Sequence, residues 1–188
     1  WNRKTVAVIL PTFREKKNIF NVIQEFDSTG YVDEIIVVDN NAEKGTEEEV
    51  KKTRAKLIKE PKEGYGMAIK TAVKNTKADL IIFADPDGTY TGKDIIKLLA
   101  YSEDFDVIFG SRTHIPLIGK KSDMTFVRRL FDFILGKLIT VLFITQPLSD
   151  VICTLSLYNN GTLKKLISNV KTDGLLFTTE LLLNTVKK

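Results

Sequence analysis

The sequence has few of the cysteine and histidine residues on which many enzymes and disulfide-stabilised or metal-binding proteins depend. Its 188 residues include one cysteine, Cys153, and one histidine, His114. A single cysteine excludes an internal disulfide and a cysteine-rich zinc site, and it is typical of a reducing compartment. A single histidine excludes multi-histidine metal centres. Because Ile115 and Pro116 follow it, we interpret His114 as a loop residue rather than the base of a Ser-His-Asp triad.

A strong excess of one charge is also missing. The 28 Lys and Arg residues outnumber the 24 Asp and Glu residues slightly, giving a net charge of +4. This mild excess suits anionic partners, and we expect no nucleic-acid partner. No internal repeat, low-complexity segment or leading signal peptide is visible, and 43% of the residues are hydrophobic. The composition predicts one soluble globular domain.

The chain instead contains a regular alternation of short apolar runs and amphipathic segments. We predict strands at residues 5–10, 34–38, 55–59, 80–84 and 106–110. We predict helices at residues 18–26, 67–75 and 94–101, and a further helix that begins near Thr46. This order is typical of an α/β fold with a mostly parallel sheet flanked by helices and right-handed crossovers. We expect residues 1–188 to form a single domain, with a change of character after Arg112.

Polar residues follow four of the predicted strands. In open α/β sheets, ligands bind beyond the carboxyl ends of the strands, so these residues are candidates for a site. Taken singly, each group has a simpler explanation as a turn, a helix cap or a surface charge. Their coincidence predicts one site, formed by residues 11–15, 39–41, 85–88 and 110–112.

Asp85 and Asp87 are the most informative pair in this set. Residues i and i+2 on an extended strand end point to the same side, so both carboxylates can reach one ion. Two carboxylates suit a hard cation such as Mg²⁺ or Mn²⁺, which usually takes its other ligands from water and substrate phosphates. We therefore predict a diphosphate substrate, with the planar guanidinium of Arg112 complementing its phosphates.

A short Gly-rich stretch, Gly64-Tyr65-Gly66, lies where the third helix is predicted to begin. It matches neither a complete dinucleotide fingerprint nor a phosphate-binding P-loop. Two glycines at a helix start can still allow the backbone to pass close to a ligand. The alternative is a loop and helix N-terminus without a ligand.

The motifs VAVILPTFREKKNI, EIIVVDNN, GYGMAIKTAV, ADLIIFADPDGTY, DVIFGSR and LSDV occur in the order found in family 2 glycosyltransferases. The chain most closely resembles the dolichol- and polyprenol-phosphate branch of that family, strongly up to Asp150 and more weakly to the end. The resemblance implies a GT-A fold and sugar transfer from a GDP- or UDP-hexose to a polyprenyl or dolichyl phosphate. Residues 1–112 would form the nucleotide-sugar-binding half and residues 113–188 the acceptor-side half.

The resemblance also implies roles for individual residues. Asp85 and Asp87 would be the DxD-type ligands of Mg²⁺ or Mn²⁺, and Arg112 would bind phosphate. On the acceptor side, Arg128 or Arg129 would meet the acceptor phosphate. The resemblance further implies that Pro11, Phe13, Glu15 and Asp39 bind the nucleotide of the nucleotide-sugar, and Gly66 joins this set from the Gly-rich stretch described above.

Two departures from the family pattern concern the acceptor side and the metal. Thr89 occupies a position where the synthases often carry a metal-binding Gln, and the stretch after Asp150 lacks the usual Gly-Phe-Arg or Gly-Phe-Trp. A lipid phosphate acceptor is already anionic and needs no base. A hydroxyl acceptor would require one, and Asp150 or Glu180 would be the candidate.

The catalytic candidates are therefore Asp87, Arg112 and Asp150. Two alternatives stay open: a family 2 enzyme acting on a hydroxyl acceptor, and a non-catalytic nucleotide-sugar-binding module. The absence of a Gln-x-x-Arg-Trp motif disfavours processive polysaccharide synthesis.

Residues 130–144 are mostly apolar, with a narrow polar stripe. A helix of this length spans roughly 22 Å, short of the ~30 Å hydrocarbon core of a membrane. We expect it either to pack on the sheet or to lie at an anionic membrane surface. The second interpretation places the protein at the cytoplasmic face of a membrane. On this interpretation residues 1–188 are a catalytic domain, and any membrane anchor lies outside them.

Overall fold

The computed structural model describes residues 1–112, 125–143, 148 and 150–186. Its centre is one six-stranded sheet with the order β3-β2-β1-β4-β6-β5. The strands are β1 (Val6–Thr12), β2 (Glu34–Asp39), β3 (Lys56–Lys59), β4 (Leu80–Phe83), β5 (Val107–Phe109) and β6 (Ser156–Asn159). The first four run parallel to one another, and β6 is antiparallel to both of its neighbours.

Helices cover both faces of this sheet. They are α1 (Lys16–Asp27), α2 (Thr46–Lys51), α3 (Tyr65–Lys74), α4 (Gly92–Tyr101), α5 (Phe126–Phe143), α6 (Asn160–Ile167) and α7 (Phe177–Val186). In α1 the buried residues Ile19, Val22, Ile23 and Phe26 form one stripe, because their spacing places them on one helical face. The predicted alternation of strands and helices is therefore confirmed for the first five strands.

Alternate residues of each central strand enter two different cores. Val8 and Leu10 pack with α1 and α4 residues in one cluster, whereas Ile9 packs with α3 and α7 residues in the other. A strand covered on both faces needs apolar residues at every position, which explains the continuous apolar runs in the sequence.

The sequence prediction of five strands is wrong in one respect, because β6 is a sixth strand. It lies between β4 and β5, so these two strands are not neighbours. Its four residues include Ser156 and Asn159, which make the segment too short and too polar for a periodic signal. The position of β6 matters for function, because it brings the residues that follow Asp150 next to the end of β4.

Candidate active site at the carboxyl ends of the strands

The ends of the parallel strands meet at one edge of the sheet. Thr12 at the end of β1 is in register with Asp39 at the end of β2. On the other side, Ile9 is in register with Phe83, the last residue of β4. The polar segments that follow these strands are therefore neighbours, as the sequence pattern predicts.

The end of β1 and the segment after it contain three of the residues predicted to contact the nucleotide. Pro11 is buried within the strand, Phe13 is 46% exposed, and Glu15 directly precedes α1. Asn18, which the sequence reasoning did not single out, links this segment to the turn after β4. Its side-chain amide donates to the Asp87 carbonyl at 3.1 Å and lies 3.4 Å from Glu15 Oε2.

The segment after β2 is held in place by local hydrogen bonds. Asp39 Oδ1 accepts from the Ala42 amide at 2.8 Å. The buried side chain of Asn40 donates to the carbonyls of Glu60 and Lys62 and accepts from the Gly64 amide, each at 2.8 Å. Asn40 thereby fixes the loop before α3. The sequence pattern showed its position but not this function, because its partners lie 20 or more residues away.

The segment after β4 carries the two predicted metal ligands. Asp85 is half-buried, and its Oδ2 accepts from Thr154 Oγ1 at 2.5 Å. Burial raises the pKa of Asp85, the Thr154 hydrogen bond opposes this change, and the nearby charge of Asp87 adds to it. Asp87 is exposed and accepts from the Thr89 amide at 2.8 Å. Gly88, directly after Asp87, turns the chain with a φ of +83°.

These carboxylates fit a hard divalent cation. Both offer oxygen ligands at one strand end, and a cation would offset the burial and the repulsion by Asp87 that raise the pKa of Asp85. Within residues 1–112, 125–143, 148 and 150–186, no group of three or more His, Cys, Asp and Glu residues is arranged to hold a metal. Mg²⁺ usually takes its remaining ligands from water and substrate oxygens.

Arg112, after β5, is paired with Asp150. Arg112 Nε and Nη2 donate to the two carboxylate oxygens of Asp150 at 3.0 and 3.1 Å, and the Arg112 amide donates to Oδ2 at 2.8 Å. Burial alone lowers the pKa of Arg112, but the hydrogen bonds and charge of Asp150 outweigh it and raise the pKa above its ordinary value. Arg112 Nη1 has no hydrogen-bond partner among the described residues.

Two glycines at the start of α3, Gly64 at its N-cap and Gly66 in its first turn, serve turn geometry and packing. Gly64 has a φ of +144°, and a Cβ there would meet the Asp173 carbonyl oxygen. A Cβ at Gly66 would lie 2.7 Å from the Phe177 ring. The Gly66 and Met67 amides both donate to the Asp173 carbonyl, at 2.8 and 3.2 Å. These amides at the start of α3 are therefore already paired, and contact of Gly66 with a nucleotide-sugar stays a prediction.

Glu180, the second base candidate, supports the loop that reaches Gly66. Its Oε1 accepts from the Lys171 amide at 3.0 Å, and its Oε2 accepts from the amide and the hydroxyl of Thr172 at 2.9 and 2.6 Å. The backbone hydrogen bond from Lys171 is the largest cause that lowers the pKa of Glu180. Both carboxylate oxygens are occupied by protein donors.

Arg128 and Arg129 lie in α5, but their side chains are outside the described residues, as is His114. One side of α5 packs through Ile139 and Leu135 against Val151 and Leu182. The other side is exposed. We call it the apolar face of α5; it consists of Val127, Leu130, Phe131, Ile134, Leu138, Val141 and Leu142, each at least 48% exposed. None of the described helices has the length and hydrophobicity needed to cross a membrane.

The order of the strands is that of a known fold class, as a comparison with solved structures shows. The structure resembles glucosyl-3-phosphoglycerate synthase from Mycobacterium tuberculosis, crystallised with Mn²⁺, UDP and glucosyl-3-phosphoglycerate, with a TM-score of 0.72. The match covers 98% of this chain and 66% of that chain at 18% identity. The fold is that of the GT-A glycosyltransferases, which confirms the predicted fold class.

Residues 7–167 match the model of glycosyl transferase family 2, and the chain belongs to this family. It is 27% identical over 143 residues to glycosyltransferase AglJ of Haloferax volcanii, covering 70% of this chain and 46% of AglJ. It is 28% identical over 138 residues to the dolichyl-phosphate hexose transferase of the same organism, covering 70% of this chain and 60% of that protein. The chain thus matches less than two thirds of the length of either relative.

Proposed function

We propose that this chain is a metal-dependent, inverting glycosyltransferase that moves a hexose from a GDP- or UDP-sugar to a polyprenyl or dolichyl phosphate. The observation that carries the proposal is the position of Asp85, Asp87 and Arg112, which follow β4 and β5; both strands are antiparallel to β6, so they end at the same edge of the sheet. Membership of glycosyl transferase family 2 supports it, as does the likeness to a dolichyl-phosphate hexose transferase.

The donor would bind where the parallel strands end, in the half formed by residues 1–112. Asp85 and Asp87 would hold Mg²⁺ or Mn²⁺, which when bound stabilises charge on the departing nucleoside diphosphate. Arg112 would bind a phosphate oxygen, since its Nη1 is not used by Asp150. The base and ribose would contact Pro11, Phe13, Glu15 and Asp39, and Gly66 would lie beside the sugar-diphosphate.

The hydrogen bonds of the two candidate bases, Asp150 and Glu180, favour an acceptor that needs no base. Asp150 accepts three hydrogen bonds from Arg112, and Glu180 accepts three from residues 171 and 172. A general base must have a free lone pair within reach of the proton it takes. With both candidates engaged elsewhere, an acceptor oxygen that is already ionised, such as a lipid phosphate, is the better match.

The acceptor half, residues 113–188, would contact the membrane that holds this lipid. The apolar face of α5 is exposed along several turns, and Lys137 lies on the same helix with its Nζ 5.4 Å from the Phe133 ring. Apolar side chains next to basic ones are typical of helices that lie in an anionic lipid surface. Arg128 or Arg129 would then meet the acceptor phosphate, at the cytoplasmic face of the membrane.

The proposal is tested in two stages. A thermal-shift panel of GDP- and UDP-hexoses, with and without Mn²⁺, identifies the donor, because a ligand that binds only the folded state raises the melting temperature. Labelled donor is then offered with polyprenyl phosphate, with the matching polyprenol and with soluble sugars. We expect transfer to polyprenyl phosphate alone. Transfer to a hydroxyl acceptor, or metal-dependent donor binding without transfer to any acceptor, would contradict it.

A further inference from the structure

A hydroxyl from the segment that departs from the family pattern reaches the proposed metal site. Phe83 on β4 pairs with Ser156 on the antiparallel strand β6. Two residues beyond Phe83 along β4 is Asp85, and two residues before Ser156 is Thr154. Antiparallel register therefore places Thr154 opposite Asp85 on the same face of the sheet.

The resulting contact is short and has a defined direction. Thr154 Oγ1 lies 2.5 Å from Asp85 Oδ2 and 3.0 Å from the Tyr90 hydroxyl. An ionised carboxylate can only accept, and a threonine hydroxyl has one proton to donate. Thr154 must therefore donate to Asp85, and Tyr90 must donate to Thr154. The two hydroxyls form a chain of donors that ends on one oxygen of Asp85.

Tyr90 is itself held in a fixed place. It is buried in the core cluster that contains α1 and α4, and its hydroxyl also lies 3.6 Å from the Cys153 sulfur. Among the described residues, the other oxygen of Asp85, Oδ1, has only a long contact of 3.5 Å with the Tyr65 hydroxyl. One oxygen of the carboxylate is thus bound firmly by the protein, and the other is left with a weak partner.

We propose that Thr154, supported by Tyr90, is a positioning residue that fixes the Asp85 carboxylate in the orientation in which it binds the divalent cation. This inference rests on the proposed function, because it assigns the cation to Asp85 and Asp87. Partners that orient a ligating carboxylate typically contribute about 10- to 100-fold to metal affinity. The hydroxyl of Thr154 performs this task from a stretch where the family usually has Gly-Phe-Arg or Gly-Phe-Trp.

The test measures Mn²⁺ affinity directly, by the electron paramagnetic resonance signal of free Mn²⁺ titrated with the protein in the presence of UDP or GDP. Thr154→Val removes the hydroxyl and keeps the branched shape, and we expect Mn²⁺ to bind about 10-fold more weakly. Thr154→Ser should restore the affinity, and Tyr90→Phe should cause a smaller loss.

Thr5→Val is the matched control, because Thr5 Oγ1 donates to Asp79 at 2.8 Å at the opposite edge of the sheet. It should lower stability without changing Mn²⁺ affinity.

The outcomes separate this inference from the proposed function. One outcome is that the wild type binds Mn²⁺, the Asp87→Ala variant does not, and Thr154→Val binds it as tightly as the wild type. In that case the positioning role of Thr154 is wrong and the metal site at Asp85 and Asp87 stands. If the wild type binds no Mn²⁺ with either nucleotide, both are overturned. Should Thr154→Val fail to fold, the Tyr90→Phe titration decides, and unchanged affinity there also contradicts the proposal.

Discussion

Asp150 binds the guanidinium of Arg112 through both carboxylate oxygens, with Arg112 Nε 3.0 Å from Oδ2 and Nη2 3.1 Å from Oδ1. The Asp150 side chain is fully buried, whereas 28% of the Arg112 side chain is exposed. Among the described residues, Nη1 of Arg112 has no hydrogen-bond partner. We infer that Asp150 orients Arg112 and does not take a proton from the acceptor.

Replacement of Asp150 by Asn tests this inference. The amide keeps the shape but loses the charge that holds Arg112, so we expect a higher KM for the donor and a pH profile of unchanged shape. The unfolding free energy should fall by about 2 to 3 kcal/mol, somewhat less than for a fully buried pair. Steady-state kinetics and urea denaturation measure both. A kcat reduced by about 10²- to 10⁴-fold, together with loss of one limb of the pH profile, would instead identify a base.

Gly66 is expected to tolerate no side chain. A Cβ at this position would lie 2.7 Å from the Phe177 ring, and overpacking of this kind costs about 1 to 3 kcal/mol. Gly66→Ala should therefore lower the urea midpoint. Gly174→Ala is the matched control, because a Cβ there meets no atom of the described residues within 4 Å. Equal midpoints for the two variants would show that Gly66 does not pack as described.

Glu180 is expected to make stability depend on pH in the acidic range. Its pKa is lowered in the folded state, so its contribution is present above the ordinary value of 4.5 and is lost as the pH falls through the folded-state value. Glu180→Gln should reduce the unfolding free energy by about 1 to 2 kcal/mol at pH 7 and have less effect at pH 3.5.

Urea titrations of both proteins at the two pH values measure this difference. Glu48→Gln is a suitable control, since Glu48 is exposed and has no side-chain hydrogen bond or ion pair among the described residues. A deficit in Glu180→Gln that is the same at pH 7 and pH 3.5 would mean that the charge of Glu180 contributes nothing to the loop.

The apolar face of α5 is expected to bind lipid. Ile134 and Leu138 are 58% and 53% exposed, and burial of such a side chain contributes about 1.5 kcal/mol or more. Replacing both by Ser should weaken cosedimentation with vesicles that contain anionic phospholipid by about 10-fold or more. Tyr101→Ser with Phe105→Ser removes apolar side chains of similar exposure outside α5 and should change nothing. Equal losses in both double variants would exclude a specific role for α5.

Much of the fold could be predicted because local pattern and tertiary position agree. The runs that form β1, β2 and β4 are apolar at every position since both faces are covered, and the carboxyl ends of parallel strands necessarily meet. Asp85, Asp87 and Arg112 could be located for the same reason. β6 could not be predicted, because its four residues, which include Ser156, are too few and too polar to show the hydrophobic periodicity of a strand.

The parts of the site that escaped prediction depend on contacts between distant residues. Thr154 reaches Asp85 only through the antiparallel register of β6, which itself was not predicted. Asn40 and Asn18 bind carbonyl groups 20 or more positions away. The sequence identifies Asp150 and Glu180 as candidate bases for a hydroxyl acceptor, whereas the structure shows them bound to Arg112 and to the amides of residues 171 and 172.

The most direct test of the account is the transfer of labelled hexose to polyprenyl phosphate by the wild type and by Asp87→Ala, with and without Mn²⁺ or Mg²⁺. Asp87 is exposed at the site and is not part of either core, so the variant should fold normally. We predict metal-dependent formation of the glycosylated lipid phosphate by the wild type and none by the variant. Equal, metal-independent transfer by both proteins would contradict the assignment of the site.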